Sequence, residues 1–120
     1  MNMDLREIME QKHFVVVGDT LNQSKYAYII KNQLEEHQYQ VSCVGKELSS
    51  IDEVEGDIDV IDLCIHPTKG ITLLKQMTKP AKCVLIQPGA ESAEIFEYLK
   101  TKDIPYLEGC VLVGLRLYRK

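Results

Sequence analysis

The chain has 120 residues, 45% of them apolar, which is typical of one globular domain with its own core. Its 18 acidic and 14 basic residues give a formal net charge of −4, so the chain as a whole has no attraction for nucleic acid or an anionic membrane surface. A polyanionic ligand would have to meet a local group of basic side chains.

The first twelve residues are charged and contain no run of apolar residues. Their charged members are Asp4, Arg6, Glu7, Glu10 and Lys12. Such a stretch is unlike the apolar centre of a signal peptide, and no apolar run elsewhere reaches the length of a membrane helix, so we expect a cytosolic protein. Leu5, Ile8 and Met9 share one helical face, which predicts an N-terminal helical extension over residues 1–12.

A continuous β-branched run ends in glycine at residues 13–18, and such a run is typical of a strand that is buried on both faces. The helix predicted after it has apolar and aromatic positions at helical spacing, namely Tyr26, Ile29, Ile30, Leu34 and His37. Ser24 is the residue type that commonly caps a helix, so we expect it to accept a backbone hydrogen bond there.

Two further strands are predicted at residues 39–44 and 58–65. Only residues 45–57 connect them, close to the shortest crossover that a parallel pair allows, so the helix expected around residues 48–54 should be brief or irregular. Asp59 and Asp62 lie three residues apart on the second of these strands, on opposite faces, and therefore do not form a carboxylate pair for acid–base chemistry.

The alternation continues to the end of the chain. Thr68 is placed to cap a helix that ends before Pro80, a strand follows at residues 83–86, and a helix around residues 95–99 follows the Pro88-Gly89 turn. A last strand is predicted at residues 105–107. The apolar run after it is expected to add a strand or to seal a homodimer; its residues are Val111, Leu112, Val113, Leu115 and Leu117.

This rhythm of strands and helices predicts one α/β domain over residues 13–120. We expect a three-layer, Rossmann-like sandwich with a five-stranded, mainly parallel sheet. Such sheets bind ligands at the carboxyl ends of their strands, beside the point where the strand order reverses. Function is therefore expected in the loops at that edge.

Those loops carry three lysines in an otherwise acidic chain: Lys25, Lys46 and Lys69. The loop after Gly18 also offers backbone N–H groups and a helix N-terminus, which favour phosphate. Whether this loop binds phosphate stays open. A single glycine falls short of a dinucleotide fingerprint, and it serves equally well to end a strand. Asp19 opposes phosphate unless its side chain turns away.

Several short segments together resemble a known family. They are residues 15–20, 24–26, 41–46, 59–67, 87–90 and 108–110. In this succession the chain is similar to the small stand-alone coenzyme A-binding domains, which resemble the N-terminal domain of the succinyl-CoA synthetase α subunit. It departs from the family at Gly18-Asp19-Thr20, where Gly-Ala-Ser is common, and at Cys110-Val111, where Cys-Pro is common.

The resemblance implies a cytosolic protein that binds coenzyme A or an acyl-CoA through its ADP moiety, with no evident catalytic group of its own. It implies cofactor-binding roles for Gly18, Asp19, Thr20, Ser24, Lys25, Tyr26, Lys46, His66, Pro67, Gln87 and Gly89. Lysines at separate loops suit a ligand that carries both a pyrophosphate and a ribose phosphate.

Two other functions remain open. An NAD(P)-dependent enzyme or redox sensor would need an acid at the end of the second strand, where this chain has Gly45-Lys46, although Lys46 would tolerate a 2′-phosphate. A flavodoxin-like interaction module or receiver domain would need acids at the ends of the first and third strands, and only Asp19 is suitably placed.

The four cysteines are widely spaced, without a Cys-x-x-Cys pair, so no metal site is predicted. We expect them to be reduced and mostly buried. Cys110 could face the thiol of a ligand, but a buried structural role is favoured because nothing near it in the sequence would lower its pKa.

Overall fold

The computed structural model describes residues 3–118, which form five strands and five helices joined by short loops. The strands are β1 (His13–Gly18), β2 (Gln40–Gly45), β3 (Ile58–Leu63), β4 (Ala81–Ile86) and β5 (Tyr106–Glu108). The helices are α1 (Leu5–Met9), α2 (Tyr26–Glu36), α3 (Pro67–Gln76), α4 (Ala93–Thr101) and α5 (Val111–Tyr118). The short crossover between β2 and β3 carries only a 3₁₀ turn, Ile51–Glu53.

All five strands are parallel and lie in the order β2-β1-β3-β4-β5. The predicted α/β sandwich with a five-stranded sheet is therefore confirmed. The strand order reverses at β1, which pairs with β2 on one side and β3 on the other. The loops that follow β1 and β3 consequently lead to helices on opposite faces and leave a crevice between them.

The sheet separates two apolar layers. Alternate residues of β1 face opposite layers: Val15 and Val17 pack with α3 and α4, whereas Phe14 and Val16 pack with α1, α2 and α5. All six residues of β1 are buried, as expected for a strand with the bounds predicted from its β-branched run.

The C-terminal apolar run is a helix, so the extra strand expected there is wrong. Residues 111–118 form α5, which packs on α1 and α2. Gly114 permits this packing, because a Cβ at that position would lie 2.6 Å from the sulfur of Met9. Val111 and Leu115 are buried in this layer, whereas Leu117 is 58% exposed. The homodimer stays a prediction.

Two helix caps also differ from expectation. Lys25, not Ser24, is the N-cap of α2, and the Ser24 hydroxyl donates to Asn22 Oδ1 at 2.7 Å. His66, not Thr68, is the N-cap of α3, and its Nδ1 accepts from the Thr68 N–H at 3.2 Å. In both cases the chain enters the helix one or two residues away from the predicted cap.

Within residues 3–118, no helix is both long enough and apolar enough to cross a membrane.

Candidate functional site

A cleft of about 830 Å³ lies at the carboxyl edge of the sheet, over the reversal in strand order. Its size lies within the range typical of sites for small molecules and cofactors. The loops after β1, β2, β3 and β4 contribute to it, together with one face of α3. The lining residues are Gly18, Asp19, Lys25, Tyr26, Ala27, Gly45, Lys46, Ser49, Cys64, Ile65, His66, Thr68, Lys69, Thr72, Leu73, Gln76, Pro88, Gly89 and Ala90.

Two glycines allow the strand ends beneath the cleft to approach closely. A Cβ at Gly18 would lie 2.3 Å from the carbonyl oxygen of Cys64 and 2.9 Å from the Cβ of Ala27. Gly45 has a φ of +128°, and a Cβ there would lie 2.7 Å from the carbonyl oxygen of Gly18. Both glycines are therefore required by the fold itself, whether or not a ligand is bound.

The side chain of Asp19 turns back into its own loop. Its Oδ1 accepts hydrogen bonds from the N–H groups of Leu21 at 3.2 Å and Asn22 at 3.1 Å. These bonds form the local turn that Asp commonly supports. They orient the carboxylate towards its own loop, but its negative charge remains at the cleft, and the N–H groups of Leu21 and Asn22 are no longer available to a phosphate.

The N-terminus of α2 is open towards the cleft. Lys25 makes no side-chain cap, and the N–H groups of Tyr26 and Ala27 have no acceptor among the described residues. By contrast, His66 Nδ1 caps α3 and Ser92 Oγ caps α4. Unpaired N–H groups and the positive end of the helix dipole both favour an anion at the start of α2.

Three lysines line the same cleft: Lys25 and Lys46 come from loops, whereas Lys69, expected in a loop, lies in the first turn of α3. None of their ammonium groups forms an ion pair or a hydrogen bond with a described residue, unlike those of Lys31, Lys75 and Lys82. Three unpaired cations beside an open helix N-terminus produce a local positive site in a chain whose net charge is −4.

His66 offers a further donor to the cleft. Because its Nδ1 accepts from the Thr68 N–H, the neutral ring carries its proton on Nε2. The start of α3 is otherwise closed, since the N–H groups of Lys69 and Gly70 both donate to the His66 carbonyl. At this helix the side chains, rather than the backbone, are available to a ligand.

Seven of the residues predicted as cofactor ligands line the cleft: Gly18, Asp19, Lys25, Tyr26, Lys46, His66 and Gly89. Four others do not: Thr20, Ser24, Pro67 and Gln87. Thr20 is 1% exposed and donates to Glu47, Ser24 bonds to Asn22, and Pro67 is the first residue of α3. Gln87 is 5% exposed, and its Oε1 accepts from the Val111 N–H.

Sequence reasoning missed the contribution of α3. Thr68, Thr72 and Gln76 follow one another at intervals of four, so they share a helical face, and this face lines the cleft together with Leu73. The polar spacing was visible in the sequence. The apolar positions predict the helix, but they do not show that its polar face meets the cleft.

Burial, not activation, governs the thiols at this edge. Desolvation raises the pKa of Cys64, which lines the cleft, to about 12 and that of Cys43 to about 11. Both therefore remain neutral thiols near pH 7, which makes them poor nucleophiles. Within residues 3–118, no three His, Cys, Asp or Glu side chains are grouped in a way that could hold a metal ion.

Comparison with known proteins identifies the family. The sequence matches the CoA binding domain over residues 12–116, nearly the whole chain. The chain belongs to this family. The resemblance noted from the sequence is thereby confirmed. Among curated proteins, none matches.

Solved structures share the fold described above. A conserved hypothetical protein from Pyrococcus furiosus is 27% identical, with a TM-score of 0.72 over 86% of this chain and 98% of its own. A hypothetical protein from Pyrococcus horikoshii OT3 is 22% identical, with a TM-score of 0.84 over 95% of this chain and 89% of its own. The chain is thus similar in fold to both proteins over most of its length and most of theirs.

Proposed function

We propose that this protein binds coenzyme A or an acyl-CoA through the ADP moiety, at the cleft on the carboxyl edge of its sheet, and acts as a binding module. The observation that carries the proposal is the open N-terminus of α2, which lies beside three unpaired lysines in one cleft. Membership of the CoA-binding domain family supplies the class of ligand.

The chemistry of the ligand suits the distribution of charge. The pyrophosphate would lie at the start of α2, where the N–H groups of Tyr26 and Ala27 and the ammonium group of Lys25 are available. The ribose phosphate would be met by Lys46, one strand away, since β1 and β2 are neighbours whose ends meet at Gly18 and Gly45. Each lysine acts as a point charge on a separate phosphate.

The site offers less to NAD(P). The carboxylate nearest to the end of β2 is that of Glu47, but Glu47 does not line the cleft, and its Oε2 accepts from Thr20 and Lys31. The carboxylate that an NAD site would use to bind the ribose diol is thus hydrogen-bonded to two residues of the chain instead.

Calorimetry of the purified protein against coenzyme A, NAD, NADP and ATP in one buffer tests the proposal. We expect coenzyme A to bind, and expect Lys25→Ala and Lys46→Ala each to weaken binding about tenfold through loss of a charge-assisted contact. Lys100→Ala is the matched control, because Lys100 is an exposed lysine in the last turn of α4 that does not line the cleft, and its loss should leave affinity unchanged.

Fragments of the ligand locate the contact. Adenosine 3′,5′-bisphosphate should compete with coenzyme A, whereas pantetheine should not. The proposal is wrong if pantetheine competes with coenzyme A and the bisphosphate does not. It is also wrong if NADP binds and coenzyme A does not.

A further inference from the structure

A polar link joins two loops at the carboxyl edge of the sheet, behind the cleft. Thr20 Oγ1 donates to Glu47 Oε2 at 2.5 Å, across 27 residues of sequence. Each partner directly follows a residue that lines the cleft, since Thr20 follows Asp19 and Glu47 follows Lys46, yet neither lines the cleft itself. The link therefore lies one residue away from the ligand-facing positions of both loops.

A third element holds the same carboxylate. Lys31, in the middle of α2, donates to Glu47 Oε2 at 3.2 Å. The Thr20 hydrogen bond is the largest cause of the lowered pKa of Glu47; partial burial opposes it and the bond from Lys31 reinforces it. The bond to Glu47 in turn raises the pKa of Lys31. Glu47 is thus an ionised carboxylate held between β1, β2 and α2.

The burial of one partner distinguishes this link from an ordinary surface ion pair: the Glu47 side chain is 34% exposed, but Thr20 is buried. Exposed pairs contribute little because water competes for both partners. Thr20, however, is 1% exposed, and a buried hydroxyl that loses its partner has no solvent to replace it. The Cys43 thiol, which also contacts Thr20 and Glu47, is only a weak acceptor. Without the Glu47 carboxylate, the loop that holds Thr20, Asp19 and Lys25 therefore loses its strong bond to the loop after β2.

We infer that Thr20 and Glu47 are positioning residues for the ligand, which tie the loops after β1 and β2 together so that the start of α2 and Lys46 face the pyrophosphate and the ribose phosphate of one ligand. Affinity gains from such a link because the loops need not be ordered when the ligand binds. The ligand in this inference rests on the proposed function, but the link is a property of the unliganded chain. Thr20 thereby changes from an expected ligand contact to a residue that acts through its neighbours.

The experiment compares two substitutions of Thr20 by calorimetry with coenzyme A. Thr20→Val keeps the branched shape and removes the hydroxyl, and we expect it to weaken binding about tenfold. Thr20→Ser keeps the hydroxyl and should bind within about twofold of the wild type. Glu94→Gln is the control. It breaks the exposed ion pair between Lys75 and Glu94, whose charged atoms lie 3.1 Å apart and whose residues do not line the cleft, so it should not change affinity.

Backbone amide resonances of the unliganded protein provide a second measurement. Thr20→Val should shift the Lys46 amide, whereas Glu94→Gln should not. If Thr20→Val binds coenzyme A as the wild type does, or if Thr20→Ser fails to restore binding, the positioning role is wrong while the proposed function stands.

If the wild type does not bind coenzyme A, the proposed function fails by itself. The amide resonances then test by themselves whether Thr20 and Glu47 hold the two loops together. An unchanged Lys46 amide resonance in Thr20→Val would show that they do not.

Discussion

The side-chain oxygen of Gln87 accepts a hydrogen bond from the backbone N–H of Val111 at 2.8 Å, and so joins the end of β4 to the first residue of α5. Val111 is fully buried and Gln87 is 5% exposed, so water cannot replace either partner. This one bond secures the start of the helix that covers α1 and α2.

We expect Gln87→Met to lower the free energy of unfolding by about 1–3 kcal/mol, because it leaves the buried Val111 N–H without an acceptor. Urea denaturation followed by circular dichroism measures this loss. The control is Gln76→Met, an exposed position on α3, which should change stability by less than about 0.5 kcal/mol. Equal losses in the two variants would contradict the structural role of Gln87.

Two glycine substitutions should have opposite effects. Gly18→Ala should destabilise the protein by at least about 1–3 kcal/mol, because its Cβ would overlap the Cys64 carbonyl, which belongs to the backbone and cannot move cheaply. Gly70→Ala should stabilise by about 0.5–1 kcal/mol, because a Cβ within α3 has no contact closer than 3.4 Å and alanine favours the helix. Thermal denaturation of the two variants and the wild type measures both effects. A change of the same sign in both variants would contradict this prediction.

Asp62 should make stability depend on pH. It is fully buried, neither carboxylate oxygen has a hydrogen-bond partner among the described residues, and burial raises its pKa well above the usual value. A raised pKa means that the folded chain holds this proton more tightly than the unfolded chain. The contribution is therefore fully present below the unfolded pKa and is lost as pH rises towards the folded pKa.

Asp62→Asn, which cannot ionise, isolates this contribution. Its stability should match that of the wild type near pH 3.5 and exceed it at higher pH, with a gap that grows by up to about 1.4 kcal/mol per pH unit until the folded pKa is reached. Urea titrations of both proteins from pH 3.5 to 8 measure the gap. Parallel pH profiles would show that Asp62 does not titrate differently on folding.

Three thiols should resist alkylation in the folded protein. Burial raises the pKa of Cys83 and Cys64 to about 12 and that of Cys43 to about 11. At pH 8 a thiol with a pKa of about 12 is ionised to only about one part in ten thousand. Peptide mass spectrometry after iodoacetamide treatment should find these cysteines modified rapidly in urea and very slowly without it. Labelling of Cys83 at equal rates under both conditions would contradict its burial.

Local patterns in the sequence were enough to place most of the fold. The bounds of β1 match the prediction at both ends, because a β-branched run that ends in glycine suits a strand buried on both faces. The parallel sheet follows from the alternation of strands and helices along the chain, and the family from a succession of short segments. The three lysines at the carboxyl edge were found in the same way, since each follows a predicted strand.

The C-terminal run shows where such patterns stop. Its apolar residues fit neither the period of a strand nor that of a helix cleanly, and a helix forms because α1 supplies a partner. Met9 reaches that helix at Gly114, more than one hundred residues along the chain. A contact of this kind leaves no trace in the local periodicity.

For the candidate site, the sequence by itself determined which polar residues of the loops lie at the carboxyl edge of the sheet, but not the polar face of α3. Only the tertiary structure decided which of these residues are hydrogen-bonded to other residues of the chain and which are free to contact a ligand. Thr20 is held by Glu47 across 27 residues and Gln87 by Val111 across 24, whereas Lys25 and Lys46 have no partner among the described residues. The physical reason is that a hydrogen-bond partner is chosen by proximity in space, and proximity exists only after the strands have paired.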